Sequence, residues 1–173
     1  MTRPARLDAI AELLAPGQER VASEASFALD DPAGYVRERA TRLALRAIDE
    51  PQDDLAWIAL IDELTEHGLL AEIDWREYPG DIRDQLTELH CHPAGASWDW
   101  YDALGDEHGL DTYAFLTLAG ERLLESGTAL VVLDIMSDCY PLTFVAAARA
   151  EELVALADTA GYRVEILGRP DPD

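Results

Sequence analysis

Residues 128–146 read TALVVLDIMSDCYPLTFVA, with an apolar run on each side of a short polar turn. This pattern predicts a β-hairpin with strands at 128–135 and 140–146, and therefore at least one antiparallel strand pair. Pro141 has no backbone N–H to donate, which predicts a sheet edge or a bulge near the start of the returning strand.

The hairpin lies in a region where one order of elements occurs three times: a helix, a glycine and a strand. The glycines are Gly68, Gly127 and Gly161, each placed to end its helix in a left-handed cap. The outer units add strand candidates at 69–75 and 162–167. We therefore expect an α+β fold with a small antiparallel or mixed four-stranded sheet covered by helices.

The chain length of 173 residues predicts a single domain, 1–173. Residues 1–50 are expected to form a helical N-terminal third, interrupted at Pro16-Gly17 and at Asp30-Asp31-Pro32, where an Asp cap followed by Pro is typical of a helix start. The sheet is expected within residues 51–173.

The segment from Tyr35 to Ile48 has the spacing of an amphipathic helix. Its arginines at 39, 42 and 46 fall on one side as a basic row. We expect Arg39, Arg42 and Arg46 to contact acids of the same chain, or of a second copy through self-association, rather than a phosphate ligand. The residues expected to face the core are Val36, Ala40, Leu43 and Ala47.

The charge of the chain is strongly negative and unevenly placed. The formal net charge is -22, and residues 1–50 hold seven Arg and nine acids, which leaves six Arg and 26 acids for residues 51–173. Such a surface repels phosphate backbones and anionic lipids, so we expect no nucleic-acid partner and no membrane partner. The acidity either favours a basic protein partner or serves solubility alone.

The sequence contains no lysine, and all 13 basic residues are arginine. Schiff-base catalysis, the P-loop and the kinase ATP site all need a lysine ammonium group. G-x-G-x-x-G and G-x-S-x-G motifs are also missing from the sequence. We therefore expect no cofactor, and an enzyme of this sequence would need an unfamiliar site.

The two cysteines, Cys91 and Cys139, do not form a C-x-x-C pair. Two free thiols are typical of a reducing compartment, so we expect a cytoplasmic protein. The first residues, MTRPARLDAI, do not resemble a signal peptide.

The hairpin sequence LDIMSDCYPLTF, with the helix that ends at Gly127 before it and the AEIDW strand upstream, resembles an uncharacterised bacterial family known only as a domain of unknown function. The resemblance covers residues 53–167 and leaves the first 50 residues outside it. No established chemistry accompanies that family, so the resemblance implies a fold but no activity.

Three carboxylates are expected at strand ends or turns: Asp74, Asp134 and Asp138. If their strands are neighbours, the side chains could converge to bind Mg²⁺ or Mn²⁺, or to divide general acid and base roles. The alternative, which we favour, is that each Asp hydrogen-bonds its own backbone in a turn.

The triplet His90-Cys91-His92, with His108 further on, contains residue types that bind Zn²⁺. Its spacing matches no familiar zinc site, so we expect a structural role and no metal site. His67, next to Gly68, is expected to cap a helix C-terminus.

The stretch from residue 99 to 111 is expected to be a long surface loop. Its start carries the aromatic group Trp98, Trp100 and Tyr101, with Asp99 and Asp102 between and after them. Aromatic residues in a polar loop either anchor a partner protein or pin the loop to the core.

Two functions follow from these patterns. The first is a non-catalytic acidic binding protein of the immunity-protein or inhibitor type, which engages a basic partner through Trp98, Asp99, Trp100, Tyr101 and Asp102. The alternative is a metal-dependent hydrolase that uses Asp74, Asp134 and Asp138, with His90 or His92 as a further ligand.

Overall fold

The computed structural model describes residues 1–105 and 109–169. The N-terminal part contains the helices α1 (Arg3–Leu14), α2 (Glu19–Asp30), α3 (Pro32–Glu38), α4 (Ala40–Leu43), a 3₁₀ turn (Ala44–Arg46) and α5 (Leu55–Glu66). The rest contains β1 (Ala71–Asp74), α6 (Pro79–Glu88), α7 (Asp99–Asp102), α8 (Thr112–Glu125), β2 (Thr128–Asp134), β3 (Cys139–Ala146), α9 (Ala147–Ala160) and β4 (Arg163–Ile166). The predicted α+β class and the helical N-terminal third are confirmed.

The four strands form one antiparallel sheet in the order β1-β3-β2-β4. β2 and β3 are the predicted hairpin, with Thr128 opposite Ala146. β3 is a central strand of the sheet, but at Pro141 it pairs with β1 alone, so the predicted edge is present at this residue on the β2 side. Pro141 is tolerated there because it pairs with Glu72 of β1 and lies beyond Leu142, the last β3 residue in the β2 ladder.

Helices cover both faces of this sheet. Side chains alternate across β2, so that Val131 and Leu133 join a core formed with α1, α2, α5 and α9, whereas Leu130 and Val132 join a second core under α6 and α8. The predicted glycine caps are confirmed, since Gly68, Gly127 and Gly161 end α5, α8 and α9 with φ of 65°, 83° and 88°.

The segment from Tyr35 to Ile48 is not one continuous helix with the predicted core face. The chain leaves helical geometry at Arg39 (φ -108°, ψ 18°), and Ala40 and Ala47 are exposed. Leu43 is buried as predicted, and Tyr35 is buried as well. The prediction failed because the arginine side of the segment contacts buried acids of α2 and α5, which turns the alanines outward.

Two further segments have local reasons for their boundaries. Asp31 caps α3 by accepting a hydrogen bond from Gly34 N at 2.9 Å, with Pro32 as the first helical residue, as the sequence predicts. The predicted loop from 99 to 111 is in part a short helix, α7, and residues 106–108 within it lie outside the described part of the chain.

Candidate binding cleft

An open cleft of about 610 Å³ lies where β1 ends and α8 begins. Three of its aromatic side chains are among the most exposed large apolar groups of the described residues: Trp75 at 47%, Tyr78 at 68% and Tyr113 at 46%. Tyr140 of β3 supplies a fourth ring. The remaining lining residues are Arg76, Glu77, Pro79, Gly109, Leu110, Asp111 and Thr112.

One wall of the cleft is the turn that follows β1. Trp75 N donates to the carbonyl oxygen of Asp138 at 3.1 Å, and Asp74 Oδ1 accepts from Arg76 N at 2.8 Å. The Arg76 guanidinium carbon lies 4.1 Å from the centroid of the Trp75 ring, a cation–π distance. These contacts hold the indole beside the hairpin.

The other wall is the first turn of α8. Asp111 caps the helix by accepting from Ala114 N at 2.8 Å, and Thr112 Oγ1 donates to the carbonyl oxygen of Glu77 at 3.0 Å. This second bond ties the two walls together. Thr112 is buried, so the bond is shielded from water.

The tyrosines inside the cleft are placed by α8 and β3. Tyr113 OH donates to Glu165 Oε1 at 2.7 Å, and this hydrogen bond, together with burial, raises the pKa of the Tyr113 phenol. The Tyr113 and Tyr140 ring centroids lie 6.1 Å apart with a 39° angle between the ring planes. The cleft therefore offers several aromatic faces together with the carboxylates of Glu77 and Asp111.

The structure does not bring Asp74 and Asp134 together. β3 lies between their strands, so their backbones are two strand spacings, about 10 Å, apart. By strand alternation Asp74 points to the face opposite Ile73, whereas Asp134 shares the face of Val132, and Ile73 and Val132 belong to the same core. Each accepts a hydrogen bond from the backbone two residues on, at Arg76 and Met136.

Asp138 lies on the exposed hairpin turn, where its carbonyl oxygen accepts from Trp75. Within residues 1–105 and 109–169 no group of three or more His, Cys, Asp or Glu side chains is arranged to hold a metal ion. Asp74 and Asp134 thus make the local backbone hydrogen bonds that the sequence analysis favoured for them.

The His90-Cys91-His92 triplet packs against its surroundings. His90 N donates to the carbonyl oxygen of Gly68 at 2.8 Å, and Cys91 Sγ donates to that of Leu69 at 3.2 Å. The His92 ring lies 5.5 Å from Phe144, and burial lowers its pKa. His67 caps α5 as predicted, with Nδ1 2.8 Å from the carbonyl oxygen of Glu63. His108 lies outside the described residues.

The sequence-predicted aromatic loop is packed inward. Trp98, Trp100 and Tyr101 surround Phe115 of α8, with ring centroids 6.0, 5.8 and 5.1 Å away. Trp98 Nε1 also donates to Thr87 Oγ1 at 2.9 Å. All three rings stay half-buried, so the part of each ring left for a partner is limited.

The two acids of that loop are both exposed. Asp102 accepts from Arg83 Nη1 at 3.0 Å, which links α7 to α6. Asp99 is the first residue of α7, where its charge suits the helix N-terminus.

The basic row pairs with acids of the same chain. Arg39 binds Glu24 through two hydrogen bonds of 2.8 and 2.7 Å. Arg42 donates to Glu63 at 2.7 Å and also contacts Glu66. Arg46 lies between Asp62, at 2.9 Å from its Nε, and Glu72. This is the intrachain alternative, and self-association through these arginines stays a prediction.

Burial and pairing act in opposite directions on the acids of this network. The hydrogen bond from Arg39 lowers the pKa of Glu24 below its ordinary 4.5. Desolvation raises the pKa of Asp62 above its ordinary 3.8, despite the attraction of Arg46. Asp62 Oδ2 is buried without a hydrogen-bond partner among the described residues, which fits this cost of desolvation.

We expect Glu24→Gln to make the free energy of unfolding less dependent on pH. A carboxylate whose pKa is lowered by folding stabilises the protein above its unfolded pKa, and that stabilisation disappears as the pH falls through the folded pKa. Glu24→Gln should therefore unfold at lower urea than the wild type at pH 7, and the difference should shrink below about pH 4.5.

The matched control for this experiment is Glu38→Gln. Glu38 lies 3.8 Å from the same Arg39 but is 54% exposed, so its removal should change little at any pH. Urea midpoints at pH 7, 5 and 3.5 measure both variants. If the urea midpoints of Glu24→Gln and the wild type differ by the same amount at all three pH values, the lowered pKa of Glu24 does not contribute to stability.

The cleft was missed by sequence reasoning, although Trp75 is the last residue of the predicted strand 69–75 and Tyr78 follows that strand closely. Tyr113 begins α8 and Tyr140 follows the hairpin turn, so the four rings come from three distant segments. The one available signal is that each aromatic residue lies at the end of an element, which is where side chains of neighbouring strands and helices meet.

The chain is thus an α+β domain with an antiparallel sheet between two helical layers and an aromatic cleft at one end of the sheet. It belongs to the family described as a domain of unknown function, DUF6630, whose model matches residues 6–168. The match includes the N-terminal helices, so the expectation that the first 50 residues lie outside the family is wrong. Neither a curated protein nor a solved structure matches the chain.

The described helices include none that is long and apolar enough to cross a membrane.

Proposed function

We propose that this protein is a non-catalytic binding module of the immunity-protein or inhibitor type that engages a basic protein partner. The observation that carries the proposal is the grouping of Trp75, Tyr78 and Tyr113 as exposed rings around one cleft in a chain of net charge -22. Exposed aromatics with charge around them are the residue types that dominate binding energy in protein interfaces.

The net negative charge of the chain favours a positively charged partner. Residues 51–173, which form the sheet and the cleft, hold most of the excess acid, so a basic protein is attracted over a distance and oriented on approach. Three of the arginines that would oppose it, Arg39, Arg42 and Arg46, are paired with acids of the same chain.

In this proposal the aromatic loop predicted from the sequence is a secondary docking site. Trp98, Trp100 and Tyr101 lie half-buried around Phe115, so truncating them acts on packing as well as on a partner. Trp75 and Tyr78 have more exposed area to offer, and their removal costs less packing.

We also propose a cytoplasmic location. Cys91 and Cys139 are both free thiols, the state that a reducing compartment maintains.

The test is capture of the partner from a lysate of the source organism by the tagged protein, at low and at moderate salt. We expect one basic protein in near-stoichiometric amount that is lost as salt rises, because screening weakens charge attraction. Trp75→Ala and Tyr78→Ala should each reduce its capture at least tenfold, the effect of a hot-spot residue worth about 1.4 kcal/mol or more.

The control variant is Leu45→Ala. Leu45 is 90% exposed but belongs to the 3₁₀ turn beside Arg46, away from the cleft. Its removal should leave capture unchanged. Retention of a partner by Trp75→Ala and Tyr78→Ala to the same extent as by the wild type would refute the cleft as the docking site, and retention of no basic protein would refute the function.

A further inference from the structure

We infer that the cleft is an aromatic cage for the guanidinium group of an arginine side chain. This inference rests on the proposed function and names the chemistry by which the basic partner is recognised. Its basis is the juxtaposition of four rings, Trp75, Tyr78, Tyr113 and Tyr140, around one open volume.

The spacing of the rings fits a cation. A guanidinium is attracted to an aromatic face within about 6 Å of the ring centroid. Tyr113 and Tyr140 contact each other, with centroids 6.1 Å apart and planes tilted by 39°, so a cation cannot lie between them, but one that rests on the open side of this pair is within that range of both rings. Tyr78, the most exposed of the four, lies at the same opening.

The chain already places one guanidinium on this surface. Arg76 stacks on Trp75 at 4.1 Å, which demonstrates that the indole face accepts a planar cation. An arginine of the partner would use the tyrosine faces that Arg76 does not cover.

The charge of the cleft has the matching sign. Its lining holds the carboxylates of Glu77 and Asp111 against the single guanidinium of Arg76, and Glu165 stands behind Tyr113. The hydrogen bond from Tyr113 OH to Glu165 polarises the phenol and makes its ring more negative, which strengthens the attraction for a cation. An anionic ligand would meet net negative charge at the same place.

The experiment compares two probes of nearly the same shape, Nα-acetyl-arginine amide and Nα-acetyl-citrulline amide. The ureido group of citrulline is planar and uncharged and has a carbonyl oxygen in place of one guanidinium NH₂, so the comparison removes the positive charge at nearly constant shape. We expect the arginine probe to shift the Trp75 indole N–H resonance in a ¹H–¹⁵N NMR titration, with a dissociation constant at least about fivefold lower than for citrulline. Trp75→Phe assigns the resonance.

Two variants of Tyr78 separate the ring from the hydroxyl. Tyr78→Leu should raise the dissociation constant of the arginine probe about two- to fivefold, the effect of one exposed cation–π contact. Tyr78→Phe should bind the probe as the wild type does. Equal binding of arginine and citrulline, or unchanged binding by Tyr78→Leu, would overturn the cage.

The two proposals fail in different ways. Capture of a basic partner that depends on Trp75, without any binding of the arginine probe, leaves the binding function standing and refutes the cage. Binding of the probe without any captured protein supports the cage and refutes the proposed partner.

Discussion

Arg42→Met is expected to lower the free energy of unfolding by about 3 to 5 kcal/mol. Arg42 Nη1 donates to Glu63 Oε1 at 2.7 Å, and the Glu63 side chain is fully buried. Removal of the guanidinium leaves a buried carboxylate with little compensation, since Arg20 approaches the other oxygen at 3.1 Å but is 60% exposed and not aligned for a hydrogen bond. Urea denaturation followed by circular dichroism measures the loss.

The double variant Arg42→Met with Glu63→Leu tests the reason for that loss. When both charges are replaced by apolar side chains of similar volume, no buried charge is left unpaired, and stability should return to within about 2 kcal/mol of the wild type. Recovery of folding by the double variant remains a test even where Arg42→Met alone does not fold.

The control for the charge is Arg37→Met. Arg37 belongs to the preceding helix, α3, and is exposed, so we expect a change of no more than about 0.5 kcal/mol. Equal effects of Arg37→Met and Arg42→Met, or additive effects in the double variant, would show that the Arg42–Glu63 pair is not what stabilises the N-terminal helices.

This ion-pair network explains which part of the fold the sequence could predict. The hairpin, the glycine caps and the Asp31 cap follow from rules that act within a few residues, and all of them are confirmed. The face of the segment from Tyr35 to Ile48 depends on acids of other helices. A prediction from the spacing of apolar residues treats every arginine as exposed, and so it placed Ala40 and Ala47 in the core.

The candidate site was less accessible to prediction for a related reason. Trp75, Tyr113 and Tyr140 become neighbours only because β1 pairs with β3 and α8 packs beside that edge of the sheet. Strand order is a long-range property, and the less favoured alternative, in which Asp74 and Asp134 converge, required their strands to be adjacent. The inserted strand β3 separates those carboxylates and brings Tyr140 to the cleft instead.

Trp57→Ala is expected to lower the free energy of unfolding by about 3 to 5 kcal/mol. Trp57 of α5 is buried, and its ring stacks on Tyr162 at 4.6 Å with an interplanar angle of 8°. Its Nε1 donates to the carbonyl oxygen of Asp134 at 3.0 Å, the point where β2 enters the hairpin turn. The alanine variant loses the packing, the stacking and this anchor together.

Trp57→Phe separates the anchor from the packing. A phenyl ring keeps most of the apolar contact but has no N–H, so it should cost less, about 1 to 3 kcal/mol, with the loss concentrated at the turn. Hydrogen exchange of the amides at 135–139 should become faster in Trp57→Phe but stay unchanged in Tyr162→Phe, which keeps its ring and loses only the hydroxyl contact with Arg3. Because Tyr140 directly follows this turn, a more mobile turn in Trp57→Phe should also weaken binding of the arginine probe. Normal exchange at the turn in Trp57→Phe would show that the indole N–H does not anchor the hairpin.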